Sequence, residues 1–246
     1  MSKPQDFFNE MKLTALQLSN LQRVSLCSPF ATRLLSQDQV LLKDLLENSH
    51  VSYRLSEMQS FLAQHEINDE ASLKKALRKL RQQVIARLIF RDLNDFADLD
   101  EVLNTISTLA DFVINAAIDY IHGWQMAEYG EPVDAHGVPQ SLVVIGMGKL
   151  GGMELNVSSD VDLIFAYEQD GKTLGDASGD KRISNQDYFV RLGKKLIAAL
   201  DEPTADGFVF RVDMGLRPFG SEGVLVSSLD ALEAYYQNNG REWERY

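Results

Sequence analysis

The chain has 246 residues, 45% of them hydrophobic and 24% charged, and its 24 Lys and Arg against 36 Asp and Glu leave a formal charge of -12. That composition is ordinary for a globular chain of one or two domains with a sizeable core. The acidic balance argues against a protein that wraps a nucleic-acid backbone, which needs a broad basic surface to release counterions, so any phosphate recognition must be local.

In chain order, the N-terminal MSKPQDFFNEMKL lacks the basic start and apolar run of a secretory leader, and no apolar stretch approaches the roughly 18 residues of a membrane span. The first half reads as helices. From a cap at Asn68, apolar residues fall at Leu73, Leu77, Leu80, Val84 and Leu88, the spacing of a buried helical stripe. Lys74, Lys75, Arg78, Lys79 and Arg81 take the other faces and are expected to be solvated. A second long helix starts after Asp98, buries Val102, Ile106, Leu109, Val113, Ala117 and Tyr120, and runs to about Tyr129. The segment GEPVDAHGVPQ, residues 130 to 140, has turn chemistry and no apolar period, which puts a boundary between a helical region, 1–130, and a second domain, 131–246.

Beyond it the character changes. LVVIG at 142 to 146 and DLIFAY at 162 to 167 are β-rich, and GFVFRVDM at 207 to 214 alternates as a strand. A Gly/Asp/Ser-rich loop spans 168 to 183, its glycines at 171, 175 and 179 suggesting mobility. A helix follows, opened by a Ser184/Asp187 capping pair and striped by Phe189, Leu192, Leu196 and Leu200. Another helix begins near Ser228. Helices followed by a sheet make the expected fold class α+β.

Chemistry concentrates in GMGKLGGMELNVSSDVDLIF, residues 146 to 165. Gly146, Gly148 and Gly151 match a dinucleotide-binding turn, but too few residues separate Gly151 from Asp160 for a crossover helix. A P-loop needs Ser or Thr after Gly-Lys, and Leu150 follows Lys149. The remaining use of the turn is to bring backbone amides to a phosphate at the start of a short helix. Asp160 and Asp162 then enter a strand; residues two apart share a face, so both carboxylates converge while Val161, Leu163 and Phe165 face the core. An Asp-x-Asp is often a mere turn feature, and the glycine turn ahead of it favours the functional reading. Asp213 adds a third carboxylate, sharing a face with Val209 and Arg211. With a single cysteine, Cys27, and histidines scattered at 50, 65, 122 and 136, neither a disulfide nor a zinc site is in view, and a reducing cytoplasm is the expected setting. Converging carboxylates repel unless cations intervene, and hard oxygen ligands suit Mg²⁺ or Mn²⁺. Lys149 and Arg217 read equally as phosphate neighbours or as surface charges, and Asn156, Ser158 and Ser159 as phosphate ligands or, more simply, as caps of the turn.

Two runs carry a resemblance: E-L-N-x-S-S-D-x-D-L at 154 to 163 and V-D-M-x-L-R-P-F-G at 212 to 220. With the glycine turn, they resemble the glutamine synthetase adenylyltransferase/adenylyl-removing enzymes, members of the polymerase-β-like nucleotidyltransferase superfamily. The motifs lie in the C-terminal part, while the helical first half agrees only in character and length. The resemblance implies a polymerase-β-like domain with a small mixed sheet over 131–246. Family members are long chains with two catalytic halves, one attaching AMP to a tyrosine of glutamine synthetase and the other removing it by phosphorolysis to give ADP. The helical prefix and the ending REWERY, inside a helix, read as an N-terminal piece, for which the resemblance implies deadenylylation. The alternatives are adenylyl transfer from ATP and a docking fragment without activity of its own.

The resemblance further implies Asp160, Asp162 and Asp213 as catalytic, metal-binding aspartates for Mg²⁺ or Mn²⁺. Gly148 with Lys149, or Gly151 with Gly152, would correspond to the phosphate-binding turn; Ser159 and Arg217, read from their own chemistry, complete the candidate nucleotide-binding set. Implied partners are glutamine synthetase, a nitrogen-regulatory signal-transduction protein, and ATP or ADP with phosphate; nucleic acid and membrane are not expected. The family usually has a basic residue where this chain has Gly215, so one positive charge near the phosphates is missing.

Overall fold

A computed structural model describes residues 13–242, so most of the N-terminal segment and the last four residues of REWERY lie outside the described residues. The chain divides into two compact units. One comprises the residues up to Ile67, Lys75–Phe112 and Met153–Ser158; the other comprises Asn68–Lys74, Val113–Gly152 and Ser159 onward. Helices and small sheets together make the fold α+β. Among the described residues no helix is long and apolar enough to cross a membrane.

The first unit opens with α1 (Ala15–Cys27), α2 (Pro29–Gln37), α3 (Gln39–Asn48) and α4 (Leu55–Ala63). Each break in the first three is a cap. Thr14 and Gln17 form a reciprocal capping box, Ser28 caps α2 ahead of Pro29, and the Asp38 carboxylate accepts from the Val40 and Leu41 amides. Leu21, Val24, Ala31, Leu35, Leu42 and Leu45 pack with Ala86 and Phe90 into this unit's core.

The long helices α5 (Glu70–Leu93) and α6 (Leu99–Tyr129) follow. The cap of α5 is Asp69, one residue past the expected Asn68: its Oδ1 accepts from the Ser72 amide at 2.7 Å. The stripe Leu73, Leu77, Leu80, Val84 and Leu88 is buried as expected, as are Ile106, Leu109, Val113 and Ala117 on α6, with Val102 and Tyr120 half-buried. The basic run of α5 is not a solvated face. Arg78 is fully buried, Arg81 is half-buried, Lys74 reaches the Glu202 carboxylate and Lys79 lies 3.8 Å from that of Asp38. Of the five, Lys75 alone is exposed. The cause is that Ile85, Ala86, Arg87 and Phe90 are buried as well, so α5 is covered nearly all round.

In the second unit, β2 (Leu142–Met147) runs antiparallel to β3 (Val161–Tyr167), and β3 runs parallel to both β5 (Val212–Asp213) and β6 (Val226–Ser228). Ahead of β2, β1 (Pro132–Asp134) pairs with β4 (Gly171–Thr173), which follows β3, in a separate two-stranded sheet. Both stretches had read as loop. Gly171 reflects close approach rather than mobility, since a Cβ there would stand 1.9 Å from the Val133 carbonyl oxygen. The strand expected over 207 to 214 shrinks to β5. The amides of Val209 and Phe210 both donate to the Leu200 carbonyl, so these successive side chains are both buried instead of alternating.

Helix α8 (Asn185–Asp201) starts at Ser184, whose Oγ accepts from the Asp187 amide, and buries Phe189, Leu192, Leu196 and Leu200 completely. Its Gly193 lies where a Cβ would meet the Phe165 ring at 2.9 Å, fixing how closely helix and sheet approach. Helix α9 (Leu229–Asn238), capped by Ser228, sets Leu232 against Ile164 and Ala166. We expect Gly193→Leu to destabilise the protein by about 2 kcal/mol or more, the scale of overpacking in a filled core, read as a lower urea midpoint at unchanged slope.

Tyr188 is fully buried in this unit, its hydroxyl 2.9 Å from His122 Nδ1. Burial pushes the His122 pKa below its ordinary 6.5, against the opposing pull of Glu131 and Asp119. Below that value the unfolded chain therefore binds the proton first, so stability falls with falling pH from about 6.5 down to the lower folded value. The urea midpoint should decline from pH 7 to pH 5, and His122→Gln should flatten that decline.

Candidate functional site

Two adjacent strands and one tight turn assemble the site. Parallel pairing of β3 with β5 sets Val161 opposite Val212 and Asp162 opposite Asp213, while the antiparallel partner of Asp162 on β2 is Met147. Met147 leads directly into α7 (Gly148–Gly151), a single helical turn. Gly148 has φ +53° and faces Asp162 so closely that a Cβ would lie 2.7 Å from its Oδ2. An L side chain is excluded there by both backbone and space.

Just ahead of the paired residues, the Val161 amide donates to the Arg211 carbonyl at 2.9 Å, which brings Arg211 alongside Asp160. The Arg211 guanidinium binds Asp160 Oδ1, its Nε at 2.6 Å. On the other side, Asp213 Oδ1 accepts from the Gly215 amide at 2.6 Å. A Cβ on Gly215 would sit 2.9 Å from that same oxygen, so a residue without a side chain lets this backbone donor approach Asp213 closely.

The crowding has an electrostatic consequence. Partial burial raises the Asp162 pKa above the ordinary carboxylate range, the charges of Asp213 and Asp160 raise it further, and Lys149 pulls it back. Asp160, Asp162, Asp213, Gly148 and Lys149 are thus brought together. Gly151 closes the turn, with space for no Cβ beside the Gly146 carbonyl, and Gly152 ends it with an amide to the Gly148 carbonyl. Ser159 is half-buried immediately before Asp160. Asn156 and Ser158 form a local turn, the Asn156 Oδ1 accepting from the Ser158 amide and hydroxyl. Arg217 donates to the carbonyls of Met214, Ser221 and Gly223, which ties it to its own loop.

A divalent cation suits Asp162 and Asp213: both are hard oxygen donors, they are register partners, and their mutual repulsion is what a cation relieves. Asp160 lies one residue ahead of β3, not in the strand as expected; its charge reaches Asp162, but it is held by Arg211. Among the described residues no group of three or more His, Cys, Asp or Glu side chains is already set to hold a metal ion. Sequence reading missed the engagement of Arg211 with Asp160 and the Gly215 amide. The signal for the first was present, because aligning the two acidic strands by Asp162 and Asp213 places Arg211 against Asp160.

A glycine turn set against the carboxylates of two adjacent parallel strands is the organising feature of this small α+β unit. The chain belongs to the glutamate-ammonia ligase adenylyltransferase family, whose model matches residues 18–246. It is 49% identical over 230 residues to the bifunctional glutamine synthetase adenylyltransferase/adenylyl-removing enzyme of Thioalkalivibrio sulfidiphilus, covering 92% of this chain and 23% of that protein. Proteins of the same description from Chromobacterium violaceum and Pseudomonas aeruginosa are 49% and 46% identical, over 89% and 94% of this chain and 24% of each relative. The chain spans about a quarter of the length of these curated relatives.

Proposed function

We propose that this chain carries a metal-dependent nucleotidyltransferase centre of the polymerase-β-like type, with residues 131–246 as its catalytic domain behind a helical region, 1–130. Its reaction is removal of AMP from adenylylated glutamine synthetase: phosphate attacks the phosphorus of the AMP-tyrosine ester, the tyrosine oxygen leaves, and ADP forms. The observation that carries the reading is the pairing of Asp162 with Asp213 in register, against the glycine turn that presents Lys149. The names of the relatives supply the substrate protein.

Asp162 and Asp213 would hold Mg²⁺ or Mn²⁺, joined by Asp160 once it leaves Arg211. A bound divalent ion at such a site neutralises charge on the phosphates and stabilises the entering and departing oxygens. Amides of the Gly148–Gly152 turn and Lys149 orient the nucleotide phosphates, and Gly215 fixes Asp213 in place of a basic contact. Ser159 and Arg217 shape the edges of the site. The partners are glutamine synthetase, a nitrogen-regulatory signal protein, ADP or ATP and phosphate, in a reducing cytoplasm, without nucleic acid or membrane.

One observation favours a second reading. Asp160 is engaged by Arg211 and, among the described residues, no three-carboxylate cage is set, as expected of a docking module whose site is idle. ADP release from adenylylated glutamine synthetase, with phosphate and Mg²⁺ or Mn²⁺, decides between them. Phosphate-dependent release that disappears in the Asp160→Ala, Asp162→Ala double variant supports deadenylylation. ATP-dependent labelling of unmodified glutamine synthetase would assign the reverse direction, and silence in both assays with partner binding retained would favour docking.

A further inference from the structure

Phe219 combines two unusual features. Its φ is +60°, in the left-handed region that disfavours bulky L-residues, and the residue is 61% exposed. Strain of this kind persists only where the surroundings impose it, and it gathers at binding sites. Here the surroundings impose it from several sides. Arg217 donates to the carbonyls of Met214 at 2.8 Å, Ser221 at 3.3 Å and Gly223 at 3.5 Å, cross-bracing the loop that carries Phe219. Gly223 closes on Pro218 so tightly that a Cβ would stand 1.9 Å from the Pro218 carbonyl oxygen. Tyr235 of α9 meets the Phe219 ring at a centroid distance of 4.7 Å and an interplanar angle of 68°, fixing its tilt.

The loop also ties the ring to the aspartates. Gly220, next to Phe219, has φ +56° and would place a Cβ 3.7 Å from the Gly215 carbonyl oxygen. The Gly215 amide is the donor to Asp213. A solvent-exposed aromatic ring is therefore carried by the same loop whose Gly215 amide binds the third carboxylate.

We propose that Phe219 is the stacking platform for the purine base of the nucleotide bound at the aspartates, with Tyr235 as the positioning residue that sets its ring. The inference rests on the nucleotidyltransferase reading and deepens it. A base needs a π-face at fixed distance from the phosphate site, and a pre-organised ring supplies one without ordering a side chain on binding. A docking patch for a protein would instead need a broad contiguous apolar surface rather than one strained ring.

Calorimetric titration of the whole chain with ADP and, separately, with inorganic pyrophosphate, both with excess Mg²⁺, tests the proposal. Phe219→Ala should weaken ADP about tenfold or more, the effect of losing one base stack, and leave pyrophosphate affinity unchanged. Phe219→Trp should retain ADP affinity, and Tyr235→Ala should weaken ADP by a smaller factor without affecting pyrophosphate. Unchanged ADP affinity in Phe219→Ala overturns the proposal, and if that variant loses glutamine synthetase binding instead, the ring is a docking contact. Loss of both probes in Phe219→Ala also overturns it, because the loop then only supports the aspartates. If the native chain binds neither probe, the nucleotidyltransferase reading itself fails.

Discussion

Asp162→Asn should abolish phosphate-dependent ADP release, by about 10²–10³-fold or more, while leaving the cation-free protein as stable as before or more so. The two halves of that expectation have one source. The Asp162 carboxylate is partly buried and faces the charges of Asp213 and Asp160, so the ionised form is opposed in the absence of a cation. Asparagine keeps the shape and removes the repulsion. On the proposed function the same substitution would remove a hard oxygen ligand, so the gain in resting stability and the loss of activity would come from one atom change. Thermal unfolding separates them. In the native chain, Mn²⁺ at about a hundred times its dissociation constant should add roughly 2.7 kcal/mol, a rise of about 5–10 °C for a chain of this size, and Asp162→Asn should show little of it. An equal rise in the variant would place the cation elsewhere.

Arg87→Ala should be among the most destabilising single changes outside the site, costing about 3 kcal/mol and lowering the melting temperature by about 6–12 °C. Arg87 is 2% exposed and divides its guanidinium between Asp44 Oδ2 at 2.9 Å and Glu57 Oε1 at 2.7 Å, above the Tyr53 ring at 4.3 Å. Burial opposes its charge, but the hydrogen bonds and attraction of Glu57 and Asp44 outweigh burial and hold its pKa above the ordinary value. Truncation leaves two carboxylates facing each other over a cavity. Arg87→Lys should recover only part of the loss, because an ammonium cannot bridge both acids in the guanidinium's fork geometry. A melting temperature within a degree or two of the native protein for Arg87→Ala would show that the pair is balanced by solvent instead.

The long helices were legible because their stripes are regular over many turns: Leu73 to Leu88 and Ile106 to Ala117 needed no tertiary information. The four helices before Ile67 do not stand out individually, although the caps of the first three are written plainly as Thr14 with Gln17, Ser28 with Pro29, and Asp38. They are short, and a stripe of two or three turns is weak beside a capping signal. Periodicity also misreads the basic run of α5, because partners such as Glu202 for Lys74 and Asp38 for Lys79 lie far away in sequence. Alternation failed at 207 to 211, where the Val209 and Phe210 amides turn to the Leu200 carbonyl and abandon the strand pattern.

Within the site, β2, the turn and β3 were readable from residues 142 to 167 alone. The pairing of Asp162 with Asp213 was not, since it depends on which strand lies beside β3 and in what register. That same register explains Arg211, whose residue type had drawn notice only as a charge beside Asp213. The β1–β4 sheet escaped notice because its strands are three residues each, with turn-rich composition on both sides.

Crystals of the chain grown with Mn²⁺ and ADP, measured at the manganese absorption edge, test the central claim most directly. An anomalous peak bridged by the carboxylates of Asp162 and Asp213, with Asp160 swung from Arg211 toward the metal and the ADP phosphates against the Gly148–Gly152 turn, is the expected result. Saturating Mn²⁺ and ADP that leave no peak between Asp162 and Asp213, with Asp160 still bound to Arg211, would contradict it.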